Sequence, residues 1–180
     1  MKHAELLSLD PYEHGGLYNC LGWAMQKING KYKHEQLDER TTDNLRTAEA
    51  AKQHIESSTS AKVEILDHFP NVTELEDNQY FVAVRTSSSG DAHFIRSDLE
   101  KGQLVWTQKL GDQGPLVKLL DITPENDEAF YTYEAAPGNE SLSGVGLIVK
   151  VEKASYVGKT RYLRVTLKDS ANQPPCCTVL

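Results

Sequence analysis

The 180-residue chain has only three cysteines. Cys20 stands alone in the body, while Cys176 and Cys177 are adjacent near the end. That is a poor disulfide framework and suits a reducing compartment. No Cys/His spacing resembles a zinc site, and nothing else in the chain requires a metal or an organic cofactor, so none is expected. No apolar run reaches the ~18 residues of a transmembrane helix. The segment Met1-Lys2-His3-Ala4-Glu5-Leu6-Leu7 has neither the long apolar core nor the cleavage site of a secretory signal. Positive charge is in deficit: 19 Lys and Arg against 26 Asp and Glu give a net charge of −7. This excludes a nucleic-acid binder that relies on neutralising phosphates. Asn71-Val72-Thr73 fits a glycosylation acceptor, but without a secretory signal it reads as a chance match.

What is present is a soluble globular composition, 39% hydrophobic and 25% charged, in a length that suits one domain with its own core. After an irregular entry, Leu21, Ala24, Met25 and Ile28 recur at helical spacing, and Asn29-Gly30 ends the pattern, which predicts a helix over 20–28. A second helix is predicted over 42–57, with Leu45, Ala48, Ala51, Lys52 and Ile55 on one stripe and Thr41 or Thr42 as cap. The texture then changes to strands at 63–66, 79–85, 92–96 and 103–108, with 116–122 as a further candidate. Strands 92–96 and 103–108 read as a hairpin joined through 98–102. An acidic, turn-rich stretch over 121–139 precedes a second strand pair, 145–151 and 162–167. The expectation is an α+β fold, with N-terminal helices packed on an antiparallel sheet. It forms one domain over 1–168, with a core of about 15–135 and an extra strand pair within 144–167, followed by a flexible tail over 169–180.

Cys20 lies in Gly15-Gly16-Leu17-Tyr18-Asn19-Cys20-Leu21-Gly22-Trp23-Ala24-Met25-Gln26, after a glycine-rich turn and at the start of the first helix. A thiol there meets unpaired backbone N–H groups and the positive end of the macrodipole, which favour the nucleophilic thiolate. A thiol hydrolase also needs a base and a polar group that holds the base in one tautomer. Of the six histidines, five are poorly placed: His3 is near the terminus, His14 in a loop, His34 in a polar stretch, His54 on a helix and His68 before Phe69-Pro70. His93 opens a strand straight after a Ser/Gly loop, where a sheet packed on the Cys20 helix presents it to the thiol. The returning hairpin strand brings Thr107, Gln108 or Lys109 opposite it, and an amide there accepts from one ring nitrogen and leaves the other for sulfur. The plainer readings are that Cys20 is a small buried hydrophobe and His93 a satisfied structural residue. In the same vein Trp23 and Trp106 are core, Lys109 is a surface charge and Gly111 supplies a turn.

A nucleophilic Cys opening the first core helix, a His opening a later strand and a polar group on the next strand is the order of the papain-like fold. Tyr18-Asn19-Cys20-Leu21-Gly22-Trp23-Ala24, Ala92-His93-Phe94-Ile95-Arg96 and Trp106-Thr107-Gln108-Lys109-Leu110-Gly111 resemble its compact bacterial branches, the CHAP and cell-wall amidopeptidase types. The resemblance covers roughly 15–122. It implies a cysteine hydrolase or acyl transferase acting on an amide bond of a protein or peptide. Cys20 is then the nucleophile, His93 the general base and acid, and Gln108 the orienting residue, with Asp112 and Asp121 as rivals. The Cys20 N–H and the Asn19 side chain would meet the oxyanion. A catalytically inactive scaffold of the same fold, serving as a membrane-anchored adaptor, is the alternative.

The last four residues, Cys177-Thr178-Val179-Leu180, fit a C-a-a-X prenylation signal whose terminal Leu specifies geranylgeranyl. Stable anchoring takes two signals, and Cys176 offers a site for a second acyl chain because the stretch before it is not polybasic. Pro174-Pro175 keep the tail extended for a prenyltransferase. The reading places the protein on the cytosolic face of a membrane. Joined to a bacterial-type hydrolase, it fits an effector acting inside a eukaryotic host cell. In eukaryotic cells the full chain should partition to membranes and Cys177→Ser should release it to the cytosol; an unchanged distribution removes the anchor from the account.

Overall fold

The computed structural model describes residues 3–6, 20–25, 44–86, 92–109, 116–119, 122–123, 134–135 and 159–168. The elements in chain order are β1 (His3–Leu6), α1 (Cys20–Ala24), α2 (Asn44–Ser58) and β2 (Lys62–Leu66). A 3-10 turn (Val72–Glu74) follows, then β3 (Gln79–Thr86), β4 (Ala92–Glu100), β5 (Gln103–Lys109), β6 (Leu116–Leu119), β7 (Glu134–Ala135) and β8 (Arg161–Thr166). The strands form one eight-stranded sheet in the order β2-β8-β3-β4-β5-β6-β1-β7. The described pairings are antiparallel except β1 with β7. The fold is α+β, and strands dominate it.

The expected helices are found with shifted ends. Met25 N donates to Leu21 O at 2.9 Å and closes the first turn of α1; the expected continuation over 26–28 lies outside the described residues, as do Thr41 and Thr42. In α2, Ala48, Ala51 and Ile55 are fully buried, as the stripe requires, whereas Lys52 is only partly covered. The helix stops where the Thr59 hydroxyl takes the Ile55 carbonyl at 2.6 Å and accepts from Ala61 N at 3.1 Å, the local competition that favours Thr at helix ends. Glu56 Oε1 then accepts from Val63 N at 2.9 Å and ties the helix to the edge strand β2. Asn71, of the glycosylation-acceptor match above, caps the 3-10 turn: its Oδ1 accepts from Thr73 N at 3.0 Å while Glu74 Oε1 accepts from Asn71 N at 2.9 Å.

Two differences from the sequence reading concern strands. β4 runs past Arg96 to Glu100, so the hairpin loop is Lys101-Gly102 alone. Both loop residues have positive φ, 50° and 78°, as a two-residue type I′ turn demands. The strand expected at 162–167 is no addition to the core: β8 sits between β2 and β3. Its proposed partner 145–151 lies outside the described residues.

The sheet is buried on both faces. Tyr80, Val82, Val84, Ala92, Phe94, Leu163 and Val165 pack with α1 and α2. Phe81, Ala83, Ile95, Trp106, Val117, Leu119 and Tyr162 build the other face. There Phe69 stacks against Tyr162 at 5.3 Å and Trp106 at 6.0 Å between ring centroids. Leu163 is 0% exposed and Leu99 55%. In urea unfolding, Leu163→Ala should cost about 2–5 kcal/mol and Leu99→Ala less than about 0.5 kcal/mol.

Candidate active site

Strand alternation fixes the geometry around β4. Successive side chains leave a strand on opposite faces, and the β3–β4 and β4–β5 registers run without a bulge. Ala92 and Phe94 therefore point to the helices, and His93 and Ile95 to the Trp106 face.

On the Trp106 face, His93 Nε2 donates to Gln108 Oε1 at 2.5 Å, with both side chains buried. The hairpin pairs Arg96 with Thr107. Continuing that register sets Gln108 beside Ile95, the diagonal neighbour of His93 on one face, within reach of a long side chain. An amide oxygen only accepts, so Nε2 carries a ring proton. Of the three residues expected opposite His93, the pleat selects Gln108. Thr107 faces the helices, where its Oγ1 accepts from Trp23 Nε1 at 2.9 Å. Lys109 shares that parity and is 2% exposed, so it is a buried cation and not the surface charge expected.

On the helix side, Cys20 is 3% exposed, and its Sγ donates to Ala92 O at 3.9 Å. The sulfur thus rests against the peptide that joins Ala92 to His93. The expectation was that the sheet face packed on α1 would present the imidazole to the thiol. Instead the pleat sends the His93 side chain to the opposite face, and sulfur and ring adjoin one peptide from its two sides. α1 spans five residues and aligns few peptide dipoles, so the macrodipole expected to favour the thiolate is small.

Trp23, Arg96 and Thr107 hold α1 in place; the sequence reading took Trp23 as core and Thr107 as a candidate opposite His93, and gave Arg96 no role. The Arg96 guanidinium lies between two rings, 5.1 Å from the Trp23 centroid and 5.0 Å from the Tyr80 centroid, and pairs with Asp98. Burial pushes the Tyr80 hydroxyl up to about 12, so the ring stays neutral beneath the cation. Thr107 Oγ1, besides accepting from Trp23, lies 3.4 Å from Arg96 O. The available signal was parity: Arg96 and Thr107 are the polar residues of β4 and β5 at paired positions that face α1, where Trp23 meets them.

The face opposite α1 holds a cavity of about 200 Å³ between the end of β2 and the start of β8, lined by Leu66, His68, Phe69, Thr160 and Tyr162 among others. Among the described residues Thr160 links its rim to Arg85, whose Nε donates to Thr160 Oγ1. Beside it His68 is held by Asp67 and Glu74, whose hydrogen bonds keep its imidazole above the ordinary range. Among the described residues no group of three His, Cys, Asp or Glu side chains is placed to hold a metal ion. Asn19, Asp112, Asp121, Cys176 and Cys177 lie outside the described residues.

Removing the amide should expose the cost of this arrangement. Gln108→Leu leaves a buried N–H without its acceptor and should lower stability by about 1–3 kcal/mol in urea unfolding. The ¹⁵N spectrum of His93 should then lose its single-tautomer signature; an unchanged spectrum means Gln108 does not fix the ring. No family model matches this chain, and no curated protein or solved structure matches it either.

Proposed function

We propose that the chain is a cysteine hydrolase of papain-like type acting on an amide bond of a protein or peptide, with Cys20 as nucleophile, His93 as base and acid, and Gln108 as the group that orients His93. One observation carries the reading: Cys20 Sγ lies 3.9 Å from the carbonyl of the peptide whose next residue is His93, and Gln108 holds that imidazole by its Nε2. Nδ1 takes the thiol proton as Sγ attacks the substrate carbonyl carbon, and the backbone N–H of Cys20 with the Asn19 amide meets the oxyanion. The proton then passes to the leaving amine, the C–N bond breaks, and water or another acceptor releases the acyl group. Because the side chains leave β4 on opposite sides, the ring must reach the sulfur around the start of the strand, where Ala92 is the first residue.

The tail reading stands beside this as a proposal resting on sequence: a prenyltransferase modifies Cys177, Cys176 takes a second chain, and the hydrolase works at a cytosolic membrane face, in a host cell if the source is bacterial. No described helix is long and apolar enough to cross a membrane.

A second reading is favoured by the burial of Cys20 among Leu21, Ala24 and Phe94 together with the pleat of β4. It takes the chain as an inactive scaffold of the same type, serving as a membrane-anchored adaptor. Hydrolysis of a fluorogenic peptide library separates the two. The hydrolase reading expects Cys20→Ala to abolish turnover and His93→Ala to lower it about 10²–10⁴-fold, both variants keeping the fold by circular dichroism while His93→Ala, which strips the buried Gln108 amide of its partner, unfolds at a lower temperature. Wild-type turnover at the level of Cys20→Ala, with Cys20 alkylated by iodoacetamide no faster than a free thiol, leaves the adaptor.

A further inference from the structure

The segment that leaves β2 lies over the end of the sheet, and one side chain ties it down. His68 Nδ1 lies 2.8 Å from Asp67 Oδ1, and its Nε2 lies 3.0 Å from Glu74 Oε2 and 3.1 Å from Glu74 Oε1. A carboxylate only accepts, so a ring with a carboxylate at each nitrogen makes both bonds only as the imidazolium. Glu74 is itself fixed: its Oε1 accepts from Asn71 N at 2.9 Å, and its main-chain oxygen accepts from Arg164 Nη1 of β8 at 3.2 Å. The segment over 67–75 carries Phe69, whose ring sits 5.3 Å from Tyr162 and 6.0 Å from Trp106. Asp67, His68 and Phe69 form one wall of the cavity of about 200 Å³, facing the start of β8.

We propose that His68 is a proton-operated latch: charged, it fastens the 67–75 segment over the end of the sheet, and neutral, it lets the segment lift and opens the cavity behind Phe69. A neutral ring keeps one N–H, so losing the proton breaks one of the two bonds and turns a lone pair towards a carboxylate. The hydrogen bonds to Asp67 and Glu74 raise the proton affinity of His68, and the His68 contact holds Asp67 below the usual carboxylate range. With the proton affinity raised by folding, the latch contributes fully below the ordinary histidine midpoint and is lost as the pH rises through the raised one. The segment is closed in mildly acidic solution and loosens as the pH climbs past the ordinary histidine range. Among the described residues, the charged or titratable groups around the ring are Asp67 beside it, Glu74 from the 3-10 turn, Arg164 from β8 behind Glu74, and Lys159, Arg161 and Tyr162 on the other wall of the cavity. The two carboxylates in contact favour the imidazolium, and the cations of β8 and its lead-in oppose it. The ring is half-exposed, so solvent screens each pair and the latch is a modest one. It works whether or not Cys20 is a nucleophile.

The test is NMR on the full chain over a pH series. It follows the His68 Cε1–H, the Phe69 ring protons and hydrogen exchange at the bonded amides of Asn71, Glu74 and Leu75, each rate divided by that of an unprotected amide. Phe69 and these amides should respond with the midpoint of His68, above the ordinary histidine value, with protection falling on the alkaline side. Asp67→Asn and Glu74→Gln should each lower the proton affinity of His68 by up to about fivefold and carry the Phe69 response to lower pH with it. Gln keeps an acceptor for Asn71 N, so the cap survives that change. His68→Gln should show the loosened segment at every pH, with no step. If Glu74→Gln does not fold, Asp67→Asn carries the comparison, because the Asp67 side chain is 99% exposed. A Phe69 ring and amides that ignore the titration of His68 overturn the latch. So does a His68 midpoint at or below the ordinary value, or one that Asp67→Asn leaves unmoved.

Discussion

The period of two along β4 governs the molecule. Ala92, Phe94 and Arg96 meet the helices; His93, Ile95 and Ser97 meet the Trp106 face. A slip of one residue would bury Arg96 where Ile95 packs and strip His93 of Gln108, so both faces hold the register in place. The strand carries a cation–π clamp on one side and a polar row on the other, and its first peptide is where the thiol touches the sheet.

That polar row is costly to bury. Arg85, His93 and Gln108 sit in a face otherwise built of Phe81, Ala83, Trp106 and Val117. A purely structural sheet gains more from aliphatic residues at these positions, because a buried polar group stabilises little beyond its own desolvation cost and penalises heavily when a partner is lost. That face holds them because each has a buried partner, Thr160 for the guanidinium and Gln108 for the imidazole. The Trp23–Arg96–Tyr80 stack has the complementary role. It pins a helix too short to be stable alone, and with it the height of Cys20 over β4.

Much of this was legible in the sequence for physical reasons. The stripe of α2 and the apolar run of β3 are strong periodic signals, and both elements lie within a residue or two of their expected ends. The contact between Gln108 and His93 followed from a hairpin and a side chain long enough for the diagonal. What was missed depends on parity across strands. The turn at Lys101-Gly102 lengthens β4 by four residues beyond Arg96 and thereby sets which of Thr107, Gln108 and Lys109 faces His93. The central position of β8 depends on pairing between residues far apart in the chain, to which local pattern is blind. The same holds for Arg85 and Thr160, which lie 75 residues apart.

The account turns on the thiol and the imidazole sharing the Ala92–His93 peptide closely enough to act together. The direct measurement is the ¹⁵N and ¹H shifts of the His93 ring before and after Cys20 is alkylated in the folded chain. Proximity predicts a clear change at Nδ1 and Cε1–H with the Nε2 bond to Gln108 kept. A His93 ring that does not respond while Cys20 is fully modified contradicts it.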